Sequence, residues 1–318
     1  MGKTKKKIAF YVGGGLGDLV HHFSKNLSIR KAAYIKENVP GYNCTCYVCP
    51  DSQECINFCK AYPFVDSITL VRSAVRGIFN PDDIPSVDQV WDGLGISENV
   101  LPSQLALPLS YPYFIQEGEF YDTLKKLKNF IVVHPFNKHQ GKSWLDGVAW
   151  RQLINEISKE HAVLIVGSSS DRGVPLMLDL WDSIDRNNFE GEVIPWVGND
   201  PFLDKIAIAQ NAYGMVVCES CWAHVGQALA IPTVLFQEST MYHFTLQYME
   251  DSDYDKRWHP SVRDKCGISP EDGKENFKVF WGQKMDPEPS SEVVLNSLHT
   301  IHSTIKKETA SHGKLRVN

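Results

Sequence analysis

Gly214-Met215-Val216-Val217-Cys218-Glu219-Ser220-Cys221-Trp222-Ala223-His224-Val225-Gly226-Gln227-Ala228-Leu229-Ala230-Ile231-Pro232-Thr233-Val234-Leu235-Phe236 reads as a strand, a helix and a second strand. The run Gly214–Cys218 is short, β-branched and apolar on both sides, as a strand covered by helices on both faces must be. Glu219-Ser220 breaks the run with polar residues suited to a helix start. Trp222–Ala230 then follows a helical pattern, and Thr233–Phe236 resumes a strand after Pro232. A helical crossover between two apolar strands predicts a parallel β-α-β unit.

Working outward, the same alternation fills most of the 318 residues. On the amino-terminal side, Phe130–Pro135, Ala162–Val166 and Val193–Val197 read as strands. Asp146–Lys159 and Pro201–Ala212 read as helices. An earlier series has strands at Lys7–Val12, Cys44–Cys49 and Val65–Val71, with helices at Asp18–Asn38, Ser52–Ala61 and Glu117–Lys128. Val87–Leu94 reads as a further strand. Ser291–Lys307 is an amphipathic last helix and Glu308–Asn318 a polar tail. The expected class is α/β, with two Rossmann-like domains facing across a central cleft: residues 1–128 and 129–290, then the helix 291–307 and the tail 308–318.

Composition limits what such a chain does. Apolar residues make up 43% and charged residues 22%, with a net charge of −6. That balance supplies a core and disfavours a broad nucleic-acid surface, which needs clustered Lys and Arg. The apolar run after Lys5-Lys6-Lys7 is too short for a secretion signal, and no stretch approaches the length of a membrane span. The expectation is a cytoplasmic protein. Its lysine-rich start reads as a solvated tail, with weak peripheral attraction to an anionic membrane surface as the other reading. Five of the eight cysteines lie between Cys44 and Cys59. Their spacing lacks the paired C-x-x-C knuckles of a zinc ribbon, so they read as buried core residues and no metal is expected.

Ligands of open parallel sheets bind beyond the carboxyl ends of strands, and three segments stand there. Gly13-Gly14-Gly15-Leu16-Gly17-Asp18 follows the first strand. Its glycines permit a tight turn, but Asp18 stands where a dinucleotide fingerprint has its last Gly or Ala. A carboxylate there repels a pyrophosphate and is itself stabilised by the helix dipole, so Asp18 reads as an ionised base or as a helix-start residue. His134-Pro135-Phe136-Asn137-Lys138-His139-Gln140-Gly141-Lys142-Ser143-Trp144 follows the first strand of the second series. Lys138 and Lys142 make it a phosphate seat or a solvated basic loop; Trp144 and Trp150 read as packing residues. Glu219, Ser220, Cys221, Trp222 and His224 form the third, at a helix start suited to a diphosphate. A Cys221–His224 thiol nucleophile is a weaker reading, because a Cys and a His three residues apart on a helix arise readily by chance.

Together these segments resemble the heptosyltransferase-like enzymes of glycosyltransferase family 9, which have the GT-B fold. The family's S-x-G-D stretch is similar to Gly15-Leu16-Gly17-Asp18. Its K-x-W-P element and W-x-x-L helix are similar to Lys142-Ser143-Trp144-Leu145 and Trp150-Arg151-Gln152-Leu153. Its D-T-G-x-x-H-x-A-x-A-x-x-x-P-T segment is similar to Glu219–Thr233, with Glu219 at the Asp position and Cys221 at the Gly position. The resemblance implies an inverting transfer of a sugar from a nucleoside-diphosphate donor to a hydroxyl of a glycan or other acceptor, without cofactor or metal. It implies that Asp18 is the general base and that Lys142 neutralises the leaving diphosphate. Ser220 and the amides after it hold phosphate oxygens, Glu219 lies near the donor sugar, and His224 braces the loop. Gly15, Gly17, Lys138, Cys221 and Trp222 would line the same sites. Three other readings remain at this stage. One is a non-catalytic sugar-nucleotide binder and another a sugar-nucleotide epimerase. The third is a nicotinamide or flavin oxidoreductase, which Asp18 and the lack of an acidic residue closing a second strand both oppose.

Overall fold

The computed structural model describes residues 5–50, 52–71, 84–102, 105–108, 117–136, 145–238, 277–282 and 289–313. The chain divides into two compact units, Met1–Phe114 and Ile115–Asn318.

The first unit has a parallel sheet in the order β1-β2-β3, with β1 at Lys6–Gly14, β2 at Tyr42–Pro50 and β3 at Ser67–Leu70. Cys44 through Val48 are all buried in β2, as expected of a strand covered on both faces. The sequence predicts one helix over Asp18–Asn38, whereas the chain forms two, α1 at Leu16–Lys25 and α2 at Leu27–Asn38. Asn26 separates them: its backbone is extended, and its side chain accepts from the Ile29 N–H at 3.3 Å, capping α2. Helix α3 is Gln53–Lys60.

Val87–Leu94, predicted as a strand, is helix α4. Ser86 and Gln89 form a reciprocal capping box, at 3.3 and 2.9 Å, and Gly95 ends the helix in the left-handed conformation. These local signals overrule the β-branched composition. Trp91 is buried on this helix and meets Tyr34 of α2 edge-on. Asp88 adds a polar tie, accepting from Ser28 at 2.6 Å and pairing with Lys31 at 3.2 Å.

The second unit begins with helix α5, Glu119–Lys126. The sequence pattern alone assigns this helix to the first half, residues 1–128, whereas the contacts group it with the second unit. Its side chains explain its membership: Phe120 and Tyr121 pack edge-on against Trp196, and the Tyr121 hydroxyl donates to Asp200. The unit's sheet contains β4 (Ile131–His134), β5 (Val163–Gly167), β6 (Val193–Val197), β7 (Gly214–Cys218), β8 (Thr233–Glu238) and β9 (Phe277–Gly282). All pairings are parallel, in the spatial order β6-β5-β4-β7-β8-β9. Counted from the first strand of the unit this is 3-2-1-4-5-6, the order of dinucleotide-binding α/β sheets.

Right-handed crossovers place α6 (Gly147–Ser158) and α7 (Leu178–Asp185) on one face, and α8 (Phe202–Ala209) and α9 (Cys221–Ala228) on the other. The last helix, α10 (Ser291–Gly313), returns to the α6–α7 face. There Val294, Leu295 and Leu298 join Trp150, Ile154, Leu180 and Trp181 in one core. α10 continues past the predicted end at Lys307, because Glu308 to His312 holds no helix breaker and Gly313 supplies the first stop. The sequence reading did not assign α7 or β9. Gly226 shows how closely α9 lies on β8: a Cβ there would sit 2.5 Å from Thr233 Oγ1.

Candidate functional site

In the second unit, strand order reverses between β4 and β7. β4 leads through α6 to one side of the sheet and β7 leads through α9 to the other, so the two connections diverge. At such a switch point backbone N–H groups are left facing outward beyond the carboxyl ends. The two loops there are those the sequence singles out, after His134 and after Cys218.

Beyond β7, Ser220 is the N-cap of α9. Its backbone is extended, and its Oγ accepts from the Trp222 N–H at 3.3 Å while donating to the Cys218 carbonyl at 3.2 Å. Glu219, Ser220, Cys221 and His224 are partly exposed, whereas Trp222 is 2% exposed. The Trp222 side chain is turned into the packing, 5.6 Å from Phe202 and 6.2 Å from His134 between ring centroids. It supports the helix start from below. The first turn of α9 carries no acidic side chain, so its dipole faces outward with Glu219 just ahead of it.

The base of this arrangement is held by buried polar groups that the sequence reading passed over. His134 is 6% exposed, and its Nδ1 lies 2.8 Å from the Val166 carbonyl of β5. Burial pushes its pKa below the ordinary histidine value, against an opposing pull from Asp171, so the ring is held neutral. The Cys218 thiol donates to the Phe136 carbonyl at 3.0 Å, tying the end of β7 to the loop after β4. Burial pushes this thiol up as well, which keeps it protonated.

Lys205 of α8, 3% exposed, donates to the Gly167 carbonyl at 2.6 Å and to the Gly198 carbonyl at 3.1 Å. It thereby joins the carboxyl ends of β5 and β6. Asp171 Oδ2 accepts from the Ser168 N–H at 2.6 Å and from the Ser168 hydroxyl at 3.0 Å, closing the loop after β5. A lysine or histidine buried inside an α/β pattern is the signal that could have revealed these braces, since burial requires partners.

In the first unit, Gly14 ends β1 with φ +102, and Gly15 is the extended N-cap of α1. Asp18 lies in the first turn and its Oδ2 accepts from the Gly15 N–H at 3.2 Å. The carboxylate lies directly over Gly14, where a Cβ would be 2.3 Å from Oδ2. Gly14 is thus the glycine that this turn requires, for its dihedral and for the space it leaves. Gly15 and Gly17, which the sequence reading selected, are partly exposed. Cys55 of α3 donates weakly to the Gly14 carbonyl at 3.8 Å.

Lys138, Lys142 and Trp144 lie outside the described residues, as does the aromatic-rich stretch Met241–Ile268. None of the seven described cysteines is in a disulfide. Cys44, Cys46, Cys55 and Cys59 are buried, in keeping with the core reading; burial pushes Cys44 up to about 12 and raises Cys46 well above the ordinary thiol value. Among the described residues no helix is long and apolar enough to cross a membrane.

No protein-family model matches this chain, and no curated protein does. Solved structures do. A glycosyl transferase family 9 protein from Veillonella parvula is similar over 95% of this chain and 98% of its own, at 12% identity and a TM-score of 0.59. The E. coli ADP-heptose lps heptosyltransferase II is similar over 95% and 99%, at 12% identity and a TM-score of 0.52. E. coli heptosyltransferase WaaC with ADP is similar over 94% and 98%, at 10% identity and a TM-score of 0.52. At these identities the likeness is one of fold, and it extends over nearly the whole of both chains. The chain therefore has the GT-B glycosyltransferase fold seen in the family 9 heptosyltransferases.

Proposed function

We propose that this protein is an inverting glycosyltransferase that moves a sugar from a nucleoside-diphosphate donor to an acceptor hydroxyl. The observation that carries the reading is the switch point between β4 and β7, where α9 starts with a neutral serine cap and no acidic residue in its first turn. A diphosphate fits there because amide hydrogens and the helix dipole stabilise negative charge without needing to reorganise. ADP-heptose and ADP accompany the similar E. coli proteins, and a nucleoside-diphosphate sugar is the donor class proposed for this chain.

In this reading, Asp18 removes the proton of the acceptor hydroxyl as the oxygen attacks the anomeric carbon from the face opposite the diphosphate. The bond to the diphosphate oxygen breaks and the configuration inverts. The Gly15 N–H holds one carboxylate oxygen of Asp18, which fixes its aim. Ser220 and the first amides of α9 receive the charge that grows on the leaving diphosphate, with Lys142 as a cation beside it and Lys138 on the same loop. Glu219 contacts the donor sugar, and Cys221 and His224 shape the rim. The reaction as drawn uses no metal ion and no cofactor, and a soluble or a membrane-borne acceptor would serve equally.

Calorimetric titration with ADP-, GDP- and UDP-sugars tests the binding half of this reading. Slow hydrolysis of the donor that binds, measured with and without acceptors, tests the chemical half. Binding retained in Asp18→Ala with turnover abolished supports a transferase. Binding of NAD with no affinity for any nucleotide sugar overturns it.

A further inference from the structure

At the opposite end of the second sheet's strands, before they begin, Glu160, His161 and His299 each offer one metal-ligand atom, and these atoms lie within 4.8 Å of one another. We infer that these residues form a site for a divalent transition-metal ion, of the zinc, cobalt or nickel class, that fastens the last helix to the sheet. The donor set is two imidazoles and a carboxylate, which suits such ions and leaves a coordination position for water.

The ring orientations favour metal binding. His161 is 8% exposed and its Nδ1 donates to the Asn129 carbonyl at 3.0 Å. Asn129 adopts φ +57, so the backbone carbonyl that orients this ring is itself held in an uncommon conformation. His299 Nδ1 lies 2.6 Å from the Tyr213 hydroxyl. Each imidazole thus has Nδ1 engaged by an outer oxygen, the arrangement that fixes a metal-binding histidine and leaves Nε2 as the ligating atom. Tyr213 stacks on His161 at 4.9 Å and on His302 at 4.4 Å, so the rings form one packed group around the phenol.

Ligands about 2 Å from a tetrahedral ion stand about 3.3 Å apart. The set must therefore close somewhat on binding, and Glu160 is exposed and can make most of that movement. Glu160 and His161 follow α6 directly, whereas His299 belongs to α10. A shared ion would join chain segments distant in sequence, and its binding free energy would add to folding stability. The site lies at the amino ends of β4, β5 and β7, away from the carboxyl-end loops. It is therefore structural and independent of the proposed transfer reaction.

Titration of the full-length protein with Co2+, followed by visible absorption, tests this. The expected result is d–d bands typical of nitrogen and oxygen ligands, without the charge-transfer band of a cobalt-bound thiolate. Affinity should fall about 10- to 100-fold or more in His299→Ala and in His161→Gln. Zn2+ should raise the Tm of the natural protein and leave that of His299→Ala unchanged. Glu160→Gln changes an exposed side chain and keeps the fold, so weakened binding in that variant reports on the site alone. Absence of d–d bands in the natural protein, or bands that persist unchanged through all three substitutions, overturns the inference.

Discussion

Helices α1 and α9 both start directly beyond a parallel strand, yet they start with opposite electrostatics. At α1 the chain brings its own anion: Asp18 sits in the first turn and accepts the Gly15 N–H. At α9 the cap is the neutral Ser220 hydroxyl, and the first turn holds no acidic residue. A glycine-rich turn is commonly read as a phosphate cradle, but here a ligand phosphate would have to displace a carboxylate. In the proposed reading the helix start without glycines is the anion seat. The sign of the charge already present at a helix start decides what it binds, more than the number of glycines before it.

The sharpest way to separate the two starts is Asp18→Asn. Turnover should fall by about 10²- to 10⁴-fold while donor affinity stays within a factor of two or so, as read by single-turnover kinetics and calorimetry. A parallel loss of donor binding would break the comparison, since Asp18 would then be serving the same ligand as α9.

Ser220→Asp makes the second start electrostatically like the first. A carboxylate beside a diphosphate should weaken nucleotide binding by about 10²-fold, given an interaction of a few kcal/mol at close range. The same change should leave Tm unchanged or slightly higher, because an acidic cap stabilises a helix by about 0.3–1 kcal/mol. Undiminished nucleotide affinity in this variant would place the ligand elsewhere.

Gly14→Ala tests the turn beneath Asp18. Its φ of +102 and the 2.3 Å approach of Oδ2 both oppose a methyl group. Urea denaturation should show a loss of about 1–3 kcal/mol, with a larger proportional loss of turnover than of donor binding. Gly15 has φ −76, which any residue adopts, so Gly15→Ala should cost less.

The smallest effect expected is a pH dependence centred on His134. Its folded pKa is lowered from the ordinary 6.5, so in mildly acidic solution the unfolded chain binds a proton that the native protein refuses. The stability it contributes is fully present above pH ~6.5 and declines as pH falls toward the folded value. Comparing urea midpoints at pH 7.5 and 5.5 should show a smaller drop in His134→Gln than in the natural protein. An equal drop would mean the ring beneath α9 is not held neutral.

The alternation of apolar runs and helical patterns, read along the chain, was enough to identify parallel α/β units and to place their loops. It was enough because strand and helix periods are local and because strands covered on both faces leave unbroken apolar runs, as in Gly214–Cys218. Segments where local signals compete were read less well. Val87–Leu94 has strand-like composition but a capping box at Ser86 and Gln89, and the cap won. Asp18–Asn38 lacks a proline or glycine at its break, which rests on one Asn26 hydrogen bond.

Strand order, the position of the switch point, and the braces supplied by His134, Asp171 and Lys205 were decided only in three dimensions. So was the gathering of Glu160 and His161 with His299, which stands 138 positions beyond His161 along the chain. These depend on which elements pack together, and pairing across such separations leaves no periodic trace in a single sequence. Sequence specified what each segment could become; tertiary packing determined which of the resulting polar groups came to share one place.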